Sequence, residues 1–173
     1  MEILNDLIKI LLPAGVALLA IYFTVKAFLT KEFEKKLLDL KMNNSNTILP
    51  NRLQAYERIC LLLERISPHN ILLRVNDGSL NAGQLHQVLL HEIREEFNHN
   101  LSQQVYMSDR AWQVVRNTKD EIVGVVNTAA NNIPKDAKGI ELAKKIIEVY
   151  TSKEHDPVAG ALSFVKDEVR KIF

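Results

Sequence analysis

Residues 7–29 read LIKILLPAGVALLAIYFTVKAFL, and from Ile10 to Val25 they carry no charge. About 20 mainly apolar residues are needed to cross the ~30 Å hydrocarbon layer of a bilayer. The stretch meets that length once Lys9 and Lys26 extend their ammonium groups to the two interfaces. It therefore reads as a membrane-spanning helix, and it divides the chain into three parts. Residues 1–29 hold the anchor, 30–47 a juxtamembrane helical stalk and polar linker, and 48–173 a soluble helical domain. The expected fold class is all-α, an N-terminal transmembrane helix followed by a small soluble helical bundle.

A cleaved signal peptide would have a basic start, a short apolar centre and a small-x-small cleavage site. Here the start is acidic (Glu2, Asp6), and Ile21 to Val25 leads into lysines. Lys9 precedes the span, whereas Lys26, Lys31, Lys35, Lys36 and Lys41 follow it. By the positive-inside rule this predicts an N-terminus outside and a cytoplasmic C-terminal domain. Cys60 has no partner within the chain, in keeping with a reducing compartment. The triplets Asn43-Asn44-Ser45 and Asn100-Leu101-Ser102 would be glycosylation acceptors only on a lumenal face.

The 22 basic and 21 acidic residues nearly cancel, which removes the electrostatic case for a nucleic-acid partner. The lysines after the span alternate with Glu32, Glu34 and Asp39, so attraction to anionic headgroups is weak. Residues 48–173 suffice for one core and are too few for two typical domains.

Lys31 to Met42 holds neither Gly nor Pro, and Thr30, Phe33, Leu37 and Leu40 recur at alternating steps of three and four. A helix from Leu7 to Met42 would be about 54 Å long at 1.5 Å per residue. The seam is shorter than the three to four heptads that define a coiled coil. Self-association through the stalk to a homo-oligomer and an amphipathic stretch lying on headgroups are equally compatible with it. Asn43-Asn44-Ser45-Asn46-Thr47 is expected to break the helix as a polar linker.

Beyond the linker the pattern is helical. Pro50 suits a first turn, and Leu53, Tyr56, Ile59, Cys60, Leu63 and Ile66 make one apolar face up to Ser67-Pro68. A turn follows at Asn76-Asp77-Gly78-Ser79. Asn81 caps the next helix with Gln84 as reciprocal partner, placing Leu85, Leu89, Ile93 and Phe97 on one side. Ser108 caps another, with Trp112, Val115, Ile122, Val126 and Ala129 inward. Asp136 is expected to start a helix carrying Ile140, Ala143, Ile147 and Tyr150, and Asp156-Pro157 to start the last, with Leu162, Val165, Val169 and Phe173 inward. Gln103 to Met107 alone has strand character, and a single short strand has nothing to pair with.

One cluster bears on chemistry: His91, Glu92, Glu95, Glu96 and His99 on the helix over 82–101. His91-Glu92 followed by Glu95 falls one histidine short of the zinc-protease spacing. Glu96-x-x-His99 is half of a di-iron motif whose second copy is missing from the chain. His91, Glu95 and His99 share a face opposite Leu85, Leu89 and Ile93, but the outer pair lies about 12 Å apart along the axis. One ion cannot take all three, and a solvated polar face is the simpler reading. Cys60, between Ile59 and Leu61, reads as a core thiol. The chain contains no G-x-S-x-G, Walker loop, G-x-G-x-x-G or C-x-x-C, so no catalytic residue and no cofactor is assigned from sequence.

Leu49-Pro50-Asn51-Arg52-Leu53-Gln54-Ala55-Tyr56-Glu57-Arg58 and Glu96-Phe97-Asn98-His99-Asn100-Leu101-Ser102-Gln103-Gln104-Val105-Tyr106-Met107 resemble segments of an uncharacterised family of small bacterial single-pass membrane proteins with a helical cytoplasmic domain. The resemblance covers nearly the whole chain. It implies an inner-membrane location and this architecture, with no activity, ligand or site attached. The expected function is therefore a membrane-anchored helical scaffold or adaptor, with the lipid bilayer and an unidentified protein as partners. Two alternatives stand beside it: a metal-dependent enzyme using His91, Glu95, Glu96 and His99, and a subunit of a larger membrane complex packing through Ala17, Ala20 and Thr24.

Overall fold

A computed structural model describes residues 2–75 and 78–172, with side chains for 11, 14–39, 48–75 and 78–171. Apart from an isolated antiparallel bridge between Asn81 and Lys138, the described secondary structure is helical. In chain order it comprises α1 (Glu2–Ile66), α2 (Pro68–Val75), α3 (Ala82–His99), a 3-10 turn (Leu101–Tyr106), α4 (Asp109–Asn131), α5 (Gly139–Thr151) and α6 (Pro157–Ile172). The all-α class read from the sequence is the observed one.

The break expected at Asn43–Thr47 is absent, because α1 runs through these residues. Asn, Ser and Thr each disfavour a helix by only about 0.5 kcal/mol against Ala, and no glycine is among them, so strong helix formers on both sides carry the backbone across. Pro50 lies inside α1 rather than in a first turn, where its missing N–H removes one i→i−4 bond. The chain divides into two compact units, Met1–Leu49 and Pro50–Phe173, at this proline.

In the first unit an 18-residue stretch within Ala14–Asp39 has a mean hydropathy of 1.5, and none of it is buried. Thr24 Oγ1 donates to the Ala20 carbonyl at 2.7 Å and Thr30 Oγ1 to that of Lys26 at 2.9 Å, so both hydroxyls are satisfied within the helix. Lys26 extends over the Tyr22 ring, 6.0 Å from its centroid. The Leu40 side chain of the stalk seam lies outside the described side chains.

The second unit closes on one core. Tyr56, Ile59, Leu62, Leu63 and Ile66 of α1 join Leu85, Leu89 and Ile93 of α3 around Trp112, Val115, Ile122 and Val126 of α4. Leu142 and Ile146 of α5 and Val158, Ala161, Leu162 and Val165 of α6 complete it. Helix α4 is the central element and packs against α3, α5 and α6. The Trp112 indole stacks on Phe97 at 5.4 Å and 22°, and Lys119 covers the other partner of that stack, 5.1 Å from the Phe97 ring.

Local signals explain three helix starts. Asn81 Oδ1 accepts from the Gln84 N–H at 2.8 Å while Gln84 Oε1 accepts from the Asn81 N–H at 3.0 Å, a complete capping box. Ser108 Oγ accepts from the Ala111 N–H at 3.1 Å. Asp156 Oδ1 accepts from the N–H groups of Val158 and Ala159, at 2.8 and 3.0 Å. Gly78 takes φ +77°, the left-handed conformation that glycine adopts without a Cβ penalty. Asn76 and Asp77 of that turn, and Phe173 of the last stripe, lie outside the described residues.

Helix α5 departs from its expected register. It starts at Gly139, not Asp136, and buries Leu142, Ala143 and Ile146, leaving Ile140 47% exposed. A backbone clasp sets this. Gly139 N–H donates to the Leu80 carbonyl at 3.0 Å, Ala82 N–H to that of Ala137 at 2.8 Å, and Gly83 N–H to that of Lys135 at 2.9 Å. A Cβ on Gly139 would stand 2.7 Å from Leu80 O, so this close approach needs glycine. Leu53, expected inward on α1, is 38% exposed, whereas Leu62 fills the core. Gln103–Met107 is not a strand: without a neighbour to pair with, the backbone of 103–106 closes into the 3-10 turn, and Met107 follows as its extended cap. Asn100 anchors that turn from a buried position, its Nδ2 donating to the Glu96 carbonyl at 2.8 Å.

Candidate functional site

The polar face of α3 is occupied by ion pairs. Arg65 Nε of α1 donates to Glu96 Oε2 at 2.7 Å, and an Arg74 terminal nitrogen of α2 meets Glu92 Oε2 at 3.2 Å. His99 Nδ1 turns back to the Glu95 carbonyl at 3.3 Å, and His91 is exposed. A recess of about 420 Å³ runs along this face, with Arg58, Arg65, Glu95 and His99 in its lining. Two of its carboxylates are thus engaged by guanidinium groups. Among the described residues no three His, Cys, Asp or Glu side chains come within reach of one ion. The arrangement clasps α1 and α2 to α3, and each pair is partly solvated, a setting in which a pair contributes about 0–1 kcal/mol.

A second polar centre gathers on Glu168 of α6. Its Oε1 accepts from the Tyr56 hydroxyl at 2.5 Å and from the Ser108 N–H at 3.1 Å, and its Oε2 from Ser108 Oγ at 2.7 Å. Arg52, which also donates from Nε to the Tyr106 carbonyl at 3.2 Å, adds positive charge nearby. Burial works against the Glu168 anion, but the Tyr56 hydroxyl, both Ser108 donors and Arg52 together hold its carboxyl below the usual range. Tyr56 moves oppositely: burial first, then the bond to Glu168, pushes its phenol up to about 12. The same pairing recurs between Tyr150 and Asp156, where burial and the carboxylate raise the phenol and the donors lower Asp156 against its own burial. At neutral pH the two phenols keep their protons and the two carboxylates stay ionised to accept the hydrogen bonds, which suits a structural clasp.

Cys60 is half-buried, and burial pushes its thiol up despite Lys166 nearby. That is the opposite of what activates a nucleophile. A recess of about 450 Å³ beside the start of α3 includes Asn81, Gly83, Gln84 and Lys135 in its lining. The first-turn N–H groups that would hold an anion there are engaged by Ala137, Lys135 and Asn81.

An apolar groove of about 360 Å³ lies between α2 and α5. Leu72 and Ala143 are its buried base, and Leu73 and Ile140 are its exposed sides, at 73% and 47%. His69 and Lys144 edge it.

A family model described as "Family of unknown function (DUF7935)" matches residues 2–172. The chain belongs to this family. No curated protein and no solved structure matches it. The DUF7935 match embraces the apolar N-terminal helix and the helical unit alike, so both are parts of one family architecture. For this DUF7935 chain, Glu168, Tyr56 and Arg52 were invisible as a group in sequence, where only the Ser108 cap has a local signature. The groove was equally hidden: α2, at eight residues, is too short to declare a helical period.

Proposed function

We propose that this protein is a membrane-anchored helical adaptor. Its first helix sits in the cytoplasmic membrane of a bacterial cell, and its second unit presents surfaces to other proteins on the cytoplasmic side. The observation that carries the reading is the bare apolar surface of α1. Leu18, Phe23 and Phe28 are 68%, 62% and 63% exposed within a stretch that the second unit's core does not use. Contiguous apolar surface of this extent is not left in water by a stable protein. The inward-turned hydroxyls of Thr24 and Thr30 support a lipid setting, since hydrocarbon offers no hydrogen-bond partner. Lysines 26, 31, 35, 36 and 41 support the orientation.

The test is membrane fractionation with alkaline carbonate, combined with alkaline phosphatase and green fluorescent protein fused in turn after Phe173. The expected result is a carbonate-resistant chain with bright fluorescence and inactive phosphatase. Release by carbonate overturns the anchor, and active phosphatase with a dark fluorophore overturns the orientation.

A further inference from the structure

The recess between α1 and α3 holds two kinds of charge. Arg65 is spent on Glu96, and Glu92 on Arg74 of α2. Arg58 and Glu95 also line it, and neither makes an ion pair among the described residues. The carboxylates nearest Arg58 along α1, Glu57 and Glu64, stand outside the lining and act on Cys60, and Arg94 of α3 is outside it too. The two free charges lie towards opposite ends. Arg52 reaches the Tyr106 carbonyl and Arg65 reaches Glu96, so the segments run antiparallel, with Arg58 at the Asn100 end and Glu95 at the Arg65 end. Arg58 and Arg65 are two turns of helix apart, about 10 Å along the axis. Between them Leu61 gives the recess an apolar wall that is 60% exposed. Asn100 supplies an independent sign of a ligand. It lines the recess at 6% exposure with its Nδ2 spent on the Glu96 carbonyl, yet its Oδ1 accepts no hydrogen bond among the described residues. A buried acceptor without a donor is costly, and a ligand N–H in the recess would satisfy it.

A simple anion would meet Glu95 and a simple cation would meet Arg58, so neither suits both ends. A zwitterion with separated charges does. A peptide of three residues spans about 10 Å at about 3.3–3.6 Å per residue. Its carboxylate can take a two-pronged hydrogen bond from Arg58 and its ammonium can pair with Glu95. Its amide N–H groups answer Asn100 Oδ1, and a side chain covers Leu61. The recess, at about 420 Å³, is of the size that holds small ligands, about 300–1,000 Å³. We propose that the α1–α3 recess is a binding site for a short peptide with free termini, held by Arg58 at its carboxylate and by Glu95 at its ammonium. This site goes beyond the adaptor reading and stands without it.

The test is calorimetric titration of the full chain in phosphatidylcholine nanodiscs with the tripeptide alanyl-leucyl-alanine. Saturable binding is expected, weakened about ten-fold by N-acetylation and about ten-fold by C-amidation of the peptide, since each removes one charge-assisted pair. Arg58→Gln is expected to abolish the penalty for amidation and keep the penalty for acetylation. Glu95→Gln is expected to do the reverse. Both side chains are exposed, so the variants should melt as the parent does, and the loss of one preference with retention of the other is an effect that misfolding does not produce. The end-blocked peptides on the unaltered chain test the proposal without any variant. Absence of saturable binding, equal binding of free and end-blocked peptides, or preferences that survive both substitutions overturns the proposal. Those results leave the adaptor reading intact, whereas release of the chain by carbonate removes that reading and leaves this site standing.

Discussion

Glu168 of α6 accepts the Tyr56 hydroxyl of α1 at 2.5 Å across 112 positions of sequence, with its remaining capacity taken by the N-cap serine of α4. Three helices thus depend on one carboxylate. Glu168→Gln keeps the shape and removes the charge, and it is expected to destabilise the protein by about 2 kcal/mol, the range for hydrogen bonds to an ionised group. Tyr56→Phe should cost less, and the double variant should fall short of the sum by about 1 kcal/mol. Denaturant unfolding of the four proteins measures this. Additive effects would mean that the two groups act independently.

The same pair gives stability a pH dependence with opposite signs at its two ends. Glu168 and Asp156 are held below their ordinary values of 4.5 and 3.8, so the stability they add is complete above those values and is lost as pH falls through the folded-state values. Tyr56 is raised from 10.0 to about 12, so its contribution is complete below 10 and is lost as pH rises towards 12. Thermal melts across pH should show both limbs. In Glu168→Gln the acid limb should flatten; an unchanged limb would assign it to other carboxylates.

Two glycines should respond oppositely to alanine. At Gly139 a Cβ meets the Leu80 carbonyl oxygen at 2.7 Å, and a backbone atom cannot rotate aside. Gly139→Ala is expected to cost about 1–3 kcal/mol, as overpacking does. At Gly124 nothing lies within 4 Å of the added carbon, and the position is within α4. Gly124→Ala should stabilise by about 0.5–1 kcal/mol. Equal melting temperatures for the two variants would contradict the α3–α5 clasp.

A fragment beginning at Ile48 is expected to be soluble and helical and to unfold cooperatively, since the second unit has its own core. Trp112 reports the outcome: at 8% exposure and stacked on Phe97, it should emit in the blue and shift to the red on unfolding. Red emission from a helical fragment would show that this core needs residues before Ile48 to close.

Much of the helical layout was legible because its signals are local. The Asn81–Gln84 box, the Ser108 cap and the Asp156-Pro157 start each depend on atoms within three residues, so the chain specifies them without help from elsewhere. The apolar run before Lys26 was readable from its composition and length, and the stripes of α3 and α4 because period and burial coincide in them. The α3 cluster was readable only as composition. His91, Glu95 and His99 share a face by helical geometry, whereas the pairing of the adjacent Glu92 and Glu96 depends on Arg74 and Arg65, which arrive from α2 and α1.

Other features belonged to the tertiary structure alone. The register of α5 follows from the Gly139–Leu80 contact, which joins loops far apart in sequence and turns Leu142 and Ile146 inward in place of Ile140. Continuity of α1 through Asn43–Thr47 is by contrast a local matter, in which weak penalties at each residue are outweighed by the helix formers on both sides. The Glu168 clasp and the α2–α5 groove exist only where separate helices converge. Sequence by itself determined where helices begin and which faces are apolar, because those depend on neighbours along the chain; which faces meet, and which polar groups they bring together, required packing, because partners across a core carry no mark of one another in the sequence.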